Sequence, residues 1–401
     1  MPPHSLLQRA SYNPHSIPLP HLPMLFRKLA ALAAVLILSF PALAQAQVTP
    51  PQLAAKSWLL IEMGSGQTLA AEKPNQRLEP ASLTKLMTAY LSFSALRQKT
   101  LNLQQKLPVS EKAWRMGGSK MFVKVGDAVA VDDLIKGMIV QSGNDACIVL
   151  AEGIAGSEQA FVDQMNREAR RLGMTATSFR NATGMPDPAH YTTAHDLARL
   201  AGALIREFPE EYRRYYSMKE FSYGGITQPN RNRLLWSDPS VDGVKTGHTD
   251  AAGYCLISSA MRNQRRLLSV VLGTASDAER ASESQKLLNW GFFAYDAVTL
   301  YKKGQAVSTQ RVWKGEENQV TAGFANDFIV AVPKGLASKL QAQLVNPSRL
   351  MAPVQQGQAV TTLKLTLDGK PYGEYLVPAL ENVPLAGIFG RAFDTVRLWF
   401  N

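Results

Sequence analysis

The 401-residue chain has few histidines and few cysteines. Beyond the first 46 residues its only histidines are His190, His195 and His248, and His195 stands in Thr193-Ala194-His195-Asp196, a typical helix start. A Ser-His-Asp catalytic triad is therefore poorly supported. The two cysteines, Cys147 and Cys255, both lie in apolar runs. This setting favours buried free thiols over a disulfide.

Long apolar segments are also scarce. The apolar run over residues 29–43 follows two basic residues and precedes Ala44-Gln45-Ala46. This run is too short to cross a membrane comfortably, and its flanks are typical of a signal peptide that is cleaved after Ala44 or Ala46. Translation could begin at Met1 or at Met24, which lies three residues before Arg27 of the basic pair. We therefore expect an exported protein.

Charge is limited in amount but biased in sign. Charged residues make up 19% of the chain and hydrophobic residues 46%, a balance that excludes bulk disorder and allows two folded domains. The net charge is +11 and is spread along the sequence. A basic surface suits nucleic acid, anionic lipid or an acidic polymer. Because an exported chain rarely meets nucleic acid, we expect a partner in the cell envelope and no nucleic-acid binding.

Hydrophobic periodicity predicts one α/β domain over residues 47–296, after the leader at 1–46. Alternation around Gly64-Ser65-Gly66 predicts a hairpin over residues 57–73, and residues 131–206 are mostly helical in pattern. Strand signals return at residues 243–247, 254–261 and 267–273. Strands on both sides of a helical middle predict a sheet whose first strand pairs with the last ones.

The remaining chain changes character. Short β-rich runs and turns over residues 297–383 predict a small all-β domain. Residues 384–401 predict an amphipathic helix with one aromatic stripe, and docking of this stripe on the β domain is the simpler alternative to binding a membrane surface in its plane. We favour the membrane anchor. The stripe comprises Leu385, Ile388, Phe389, Ala392, Phe393, Val396, Trp399 and Phe400, largely opposite Arg391, Asp394, Thr395 and Arg397.

A serine and a lysine share one face of a predicted helix start. In Pro80-Ala81-Ser82-Leu83-Thr84-Lys85, Lys85 follows Ser82 by three residues. A serine must lose a proton as it attacks, and a nearby amine that is kept neutral can accept this proton. The pattern alone is weak evidence, because a helix start beside a solvated lysine has the same sequence.

Two further motifs follow in order. Ser142 and Asn144 lie in Gln141-Ser142-Gly143-Asn144, between two predicted helices, where they could relay a proton and hold a substrate amide. An ordinary turn is the alternative for this motif alone. Lys245, Thr246 and Gly247 lie at the end of a predicted strand and offer a positive charge, a hydroxyl and room for close approach of a ligand backbone.

The three motifs together resemble the penicillin-binding protein and serine β-lactamase superfamily, in which Ser-x-x-Lys, Ser-x-Asn and Lys-Thr-Gly line one cleft. The longer strings at residues 142–147, 230–232 and 241–254 resemble the low-molecular-mass D-alanyl-D-alanine carboxypeptidases, class C penicillin-binding proteins of the S11 peptidase type. The resemblance spans the chain after the leader and includes the β-rich domain and the amphipathic tail. It implies an α/β transpeptidase-like domain and no metal or other cofactor.

The resemblance also implies roles. Ser82 attacks the D-Ala-D-Ala carbonyl of a peptidoglycan pentapeptide, Lys85 is the general base, and Ser142 and Lys245 handle protons and charge. Backbone amides of Ser82 and His248 form the oxyanion hole. The substrate's terminal carboxylate is read by Thr246, His248, Arg231 and Arg280, although for either arginine a surface ion pair is the alternative. β-Lactam antibiotics are then covalent inhibitors, and the protein lies at the periplasmic face of the inner membrane.

Two rivals are less well supported. A β-lactamase usually needs an added glutamate for deacylation, and no Glu-x-x-x-Asn segment occurs between Ser142 and Lys245. A non-catalytic peptidoglycan-binding protein would not need the intact Ser82, Lys85 and Lys245. The motifs are shared by carboxypeptidases, transpeptidases and endopeptidases, so they leave open whether water or an amine accepts the acyl group.

Overall fold

The computed structural model describes residues 49–345 and 349–399. The leader predicted at residues 1–46, with its signal peptide, lies outside the described residues. Among the residues that are described, no helix has the length and apolar character needed to cross a membrane.

A five-stranded antiparallel sheet forms the centre of the first domain. Its strands are β1 (Ser57–Glu62), β2 (Thr68–Glu72), β7 (Val241–Thr249), β8 (Gly253–Arg262) and β9 (Arg265–Thr274), in the order β2-β1-β9-β8-β7. Trp58 on β1 lies opposite Val271 on β9. The expectation that the first strand pairs with the last ones is therefore confirmed, as is the predicted hairpin between β1 and β2.

Helices cover both faces of this sheet. They are α1 (Lys85–Arg97), α2 (Glu111–Arg115), α3 (Val131–Val140), α4 (Asn144–Ala155), α5 (Glu158–Arg171), α6 (Ala194–Glu207), α7 (Pro209–Tyr215), α8 (Leu234–Ser237) and α9 (Asp277–Ala294). Two short antiparallel strand pairs, β3 (Lys106–Pro108) with β4 (Ala128–Ala130) and β5 (Glu220–Tyr223) with β6 (Ile226–Pro229), lie between them. The first seven helices share one core with the sheet, whereas α9 packs in a second core that contains Leu60, Leu267 and Leu288.

The helical middle has one long interruption. The Thr193 hydroxyl caps α6 by accepting a hydrogen bond from the Asp196 amide, as its sequence predicts. Residues 172–193, however, form an irregular loop. The side chain of Asn166 on α5 donates to the Phe179 carbonyl at 2.8 Å and accepts from the Phe179 amide at 2.9 Å. These contacts satisfy backbone groups that a helix would have satisfied internally. Cys147 and Cys255 are buried and unpaired, as expected.

The second domain is all β. Its strands are β10 (Tyr295–Tyr301), β11 (Ala306–Trp313), β12 (Gln319–Gly323), β13 (Phe328–Pro333), β14 (Leu340–Val345), β15 (Leu350–Met351), β16 (Ala359–Leu367) and β17 (Lys370–Pro378). They form small sheets around a core of its own, to which Val320, Val330, Leu363 and Val377 contribute. The predicted α/β domain followed by a small all-β domain is thus confirmed.

The terminal helix, α10 (Ile388–Trp399), begins later than the predicted 384–401 segment. The preceding residues are tied to the β domain, since the Glu316 amide donates to the Pro384 carbonyl at 3.0 Å and the Ala386 amide to the Lys314 carbonyl at 2.9 Å. The carboxylate of Asp394 on the helix accepts from the Lys314 amide at 2.6 Å. The apolar face is left uncovered: Phe389 is 91% exposed, and Ile388, Phe393 and Val396 are also exposed.

Candidate active site

Ser82 and Lys85 lie at the start of α1. A short 3-10 helix, Ala81–Thr84, precedes α1 and turns both side chains toward one point. The Lys85 ammonium nitrogen, Nζ, lies 2.8 Å from Ser82 Oγ and donates to the Thr183 carbonyl at 2.6 Å. The lysine is buried rather than solvated. The alternative of a helix start beside a solvated lysine is therefore wrong for this segment.

Burial changes the acid–base properties of Lys85. The pKa of Lys85 is lowered to about 8, mainly because removal from water disfavours the charged form. The positive charge of Arg231 contributes to this lowering. An amine with this pKa is partly neutral near neutral pH. It can therefore accept a proton from a serine hydroxyl at hydrogen-bonding distance.

Ser142, Asn144 and Lys245 come to the same place from other elements. Ser142 lies in the turn between α3 and α4, and its Oγ accepts a hydrogen bond from Lys245 Nζ on β7 at 3.0 Å. Burial, followed by the charges of nearby cations, holds the pKa of Lys245 well below its usual range. The Asn144 amide donates to the Gly117 carbonyl at 2.8 Å, so it also holds a neighbouring loop. Each serine is thus paired with a buried lysine.

The motifs line a cavity of 460 Å³. Of the ten residues predicted for the site, eight line it directly, and Lys85 and Lys245 lie behind their serines. The lining comprises Ser82, Gly118, Ser119, Ser142, Asn144, Thr183, Gly184, Met185, Arg231, Thr246, Gly247, His248, Thr249, Tyr254, Asp277 and Arg280. Ser82, in the 3-10 helix, and His248, near the end of β7, line the same cleft.

Two glycines allow the cleft walls to approach the nucleophile. Gly184 has φ +87°, and a side-chain carbon there would lie 1.8 Å from the Ala81 carbonyl oxygen. A side-chain carbon at Gly247 would lie 3.2 Å from both the Pro80 carbonyl oxygen and Leu83. The absence of a side chain at Gly247 thus allows the residues before α1 to pack closely against β7.

The two arginines predicted for carboxylate recognition differ in setting. Arg280 is buried, forms an ion pair with Asp277 and donates to the Gly247 carbonyl at 3.2 Å. Its guanidinium carbon lies 5.5 Å from the Tyr254 ring centroid. Arg231 is exposed at the mouth of the cleft. Together with Lys85 and Lys245 they give the site four basic groups, a field that favours an anionic substrate.

Other residues that shape the site do not belong to any of the three motifs. Thr183 contributes a backbone carbonyl, for which a sequence carries no side-chain signal. The buried Asp145 carboxylate accepts hydrogen bonds from the amides of Met121, Phe122 and Val123 and thereby holds the loop beside the cleft. Asp145 directly follows Asn144 of the second motif, and this position is the sequence feature by which it could have been identified. Within residues 49–345 and 349–399, no group of three or more metal-ligating side chains could hold a metal ion.

Comparisons with known proteins agree with this geometry. The family model described as D-alanyl-D-alanine carboxypeptidase matches residues 44–276, and that of the penicillin-binding protein 5 C-terminal domain matches residues 295–385. The chain is 43% identical over 388 residues to the D-alanyl-D-alanine carboxypeptidase DacC of Escherichia coli, covering 94% of this chain and 96% of that protein.

Solved structures give the same result. A crystal structure of penicillin-binding protein 5 from Haemophilus influenzae is 40% identical, with a TM-score of 0.76, and the match covers 84% of this chain and 99% of that one. The ampicillin-bound penicillin-binding protein D2 of Listeria monocytogenes is 30% identical, with a TM-score of 0.56, over 61% of this chain and 99% of its own. On these matches, this chain belongs to the D-alanyl-D-alanine carboxypeptidase family of S11 serine peptidases and carries the C-terminal domain of penicillin-binding protein 5.

Proposed function

We propose that the protein removes the terminal D-Ala from peptidoglycan pentapeptides through an ester formed on Ser82. The observation that carries this proposal is the contact of 2.8 Å between Ser82 Oγ and the buried amine of Lys85. Neither metal nor cofactor takes part in the scheme.

Acylation uses the two serine–lysine pairs in turn. Ser82 Oγ attacks the carbonyl carbon of the penultimate D-Ala while neutral Lys85 accepts the hydroxyl proton. The amides of Ser82 and His248 stabilise the oxyanion. The proton that Lys85 accepted passes through Ser142, which is bonded to Lys245, to the amine that leaves as D-Ala, so Lys85 is neutral again. Water then attacks the ester while Lys85 accepts its proton, and Lys85 returns this proton to Ser82 Oγ as the acyl group leaves.

Charge positions the substrate. Arg231 and Arg280 bind the carboxylate of the leaving D-Ala, with Thr246 and His248 as further hydrogen-bond donors beside them. The ion pair with Asp277 and the bond to the Gly247 carbonyl fix the Arg280 guanidinium before substrate arrives. Asn144 orients the amide on the acyl side of the scissile bond.

The leader and the terminal helix suggest where this reaction occurs. We infer export through a signal peptide cleaved after Ala44 or Ala46, and attachment to the periplasmic face of the inner membrane through residues 384–401. The exposed apolar face of α10 supports this attachment. The catalytic domain would span residues 47–296 and the β-rich domain residues 297–383.

Benzylpenicillin provides the direct test, because a β-lactam presents a strained amide to the same nucleophile. Intact-mass analysis should show one lasting penicilloyl adduct, and peptide mapping should place it on Ser82. Rapid turnover of the drug would instead indicate a β-lactamase.

The matched variants are Ser82→Ala and Ser94→Ala; Ser94 lies on α1, about three turns beyond Ser82, and its hydroxyl accepts a hydrogen bond from the Gln98 side chain. We expect Ser82→Ala to lose both the adduct and D-Ala release, and Ser94→Ala to keep both. Release of D-Ala by Ser82→Ala would exclude the proposed mechanism.

A further inference from the structure

A second cavity, of 630 Å³, adjoins the catalytic cleft. It is lined by Pro229, Asn230, Arg231, Arg233, Trp236 and Asp277. Arg231 and Asp277 also line the catalytic cleft, so the two cavities meet at the residues that surround the proposed carboxylate site. Arg233 and Trp236 have no part in the mechanism described above.

The loop between β6 and α8 is built to present two arginines. Asn230 and Asn232 are buried, and the Asn232 side chain donates to the Gly243 carbonyl and accepts from the Leu234 amide, at 3.0 and 3.2 Å. Arg231 and Arg233 alternate with them and are exposed. Because the asparagines are hydrogen-bonded inward, the arginines project outward, one at the cleft and one into the second cavity.

Asp277 lines both cavities and forms an ion pair with an arginine of each. One of its carboxylate oxygens lies 2.5 Å from Arg233 Nε, and the other forms the ion pair with Arg280. Two arginines are therefore paired with one carboxylate, and Arg231 lines both cavities beside them, which leaves an excess of positive charge where the cavities meet.

Trp236 adds an apolar wall to this basic cavity. Its helix, α8, buries Leu234 and Leu235 in the core, whereas Trp236 is 48% exposed and lines the cavity. An apolar surface next to positive charge suits an aliphatic chain that ends in a carboxylate.

We propose that this second cavity is a subsite for the side chain of the leaving residue, and that it accepts an elongated D-amino acid side chain ending in a carboxylate. The inference rests on the proposed function. When Arg231 and Arg280 bind the α-carboxylate of the leaving residue, its side chain, attached to the same carbon, begins close to Arg231, which lines both cavities. The methyl group of D-Ala would leave this subsite empty.

The test is a series of acylated peptides that end in D-Ala followed by D-Ala, D-norleucine, D-α-aminoadipate or D-lysine. The last three have side chains of similar length that are neutral, anionic and cationic. The measured quantity is kcat/KM for release of the final residue. We expect the wild-type protein to prefer D-α-aminoadipate to D-lysine by about tenfold, because two exposed arginines act on the side-chain charge.

Two variants assign the effect to the cavity. Arg233→Gln should lower the ratio of D-α-aminoadipate to D-norleucine release about fivefold, the equivalent of one exposed ion pair. Trp236→Ala should lower the ratio of D-norleucine to D-Ala release about fivefold, through lost apolar contact. Arg115→Gln is the matched control, since Arg115 is 69% and Arg233 65% exposed and each is paired with one carboxylate.

The outcomes separate this proposal from the proposed function. Release of D-Ala without measurable release of the three longer residues would overturn the subsite and leave the carboxypeptidase assignment intact. An equal loss of release for all four peptides in Arg233→Gln would also overturn it, because Arg233 would then act only through Asp277 on Arg280. Failure of the wild-type protein to release any final residue, D-Ala included, would overturn both.

Discussion

Ser82 and Ser142 are each bonded to a buried lysine, yet the two lysines differ in what surrounds them. Lys85 donates to the Thr183 carbonyl, which holds its nitrogen beside the nucleophile. Lys245 lies on a strand, donates to the Thr246 carbonyl, and has its pKa lowered by burial and then by Lys85. Two positive charges so placed repel each other. The site therefore favours states in which at least one of the two amines is neutral.

The pH dependence of acylation should report on Lys85. Its folded-state pKa is about 8, below the ordinary 10.5, so the neutral fraction rises as pH increases through about 8. We expect the second-order rate of benzylpenicillin acylation to rise about tenfold per pH unit below that value and to level off above it.

The control for this profile is Lys85→Arg, which keeps a positive charge that does not titrate in this range and should be inert at every pH. A wild-type rate that rises only above pH 10 would show that Lys85 behaves as an ordinary lysine and is not the base.

The three motifs of fixed spacing indicate which serines and lysines meet in one place. Ser82 bonds to Lys85 and Ser142 to Lys245, and both serines line one cleft. The sequence does not predict the Thr183 carbonyl, because a backbone acceptor has no residue type, or the ion pair of Asp277 with Arg233, because these two residues are far apart in the sequence. The roles assigned to Arg231 and Arg280 stay predictions.

At the scale of elements, the strands were more predictable than the loop over residues 172–193. The strands of the sheet are short apolar runs bounded by turns, and this short length with flanking turns distinguishes a buried strand from a buried helix. The loop lies within the span predicted as mostly helical, but its own residues Gly173, Gly184, Pro186 and Pro188 disfavour a helix. Its conformation depends on hydrogen bonds from the Asn166 side chain on α5, and one sequence does not reveal such long-range contacts.

The loop over residues 172–193 contacts the turn that bears Ser82, where Gly184 lies against Ala81. In Gly184→Ala the new methyl group would overlap the Ala81 carbonyl, 1.8 Å away, so the loop or the turn that bears Ser82 must move. We expect acylation by benzylpenicillin to fall at least about 100-fold, since a displacement of 1 Å can cost that much. Stopped-flow measurement with a fluorescent penicillin checks this.

Gly126→Ala is the matched substitution. Gly126 has φ +83°, and a side-chain carbon there would meet no atom within 4 Å. Only the backbone cost of about 1 kcal/mol remains. This variant should acylate at the normal rate with a Tm lower by about 2–4 °C. If both alanines slowed acylation equally, the contact with Ala81 would not be the cause.

At the scale of the whole molecule, the terminal helix is held to the β domain through Asp394, and its apolar residues face away from it. The double variant Phe389→Ser with Phe393→Ser should weaken binding to phosphatidylglycerol-containing vesicles by about 100-fold, because two aromatic side chains no longer enter the lipid. Vesicle sedimentation measures this, with acylation by penicillin expected to stay normal.

Phe293→Ser is the control for this pair, because Phe293 is 73% exposed but lies near the end of α9, outside the terminal helix. Equal loss of vesicle binding in the control, or unchanged binding in the double variant, would contradict the anchor. The amphipathic pattern predicted this helix from sequence, whereas its delayed start could not be foreseen, since it depends on pairing with Lys314 and Glu316.

The outward orientation of α10 also has a consequence for handling the protein without lipid. Since the polar side of the helix is already bonded at Asp394, the helix cannot shield Phe389 and Phe393 by rolling onto its own β domain without losing that bond. In plain buffer, two copies can cover these faces by pressing them together. We therefore expect the apparent mass in sedimentation to increase with protein concentration and to return to that of a monomer when a mild detergent is added.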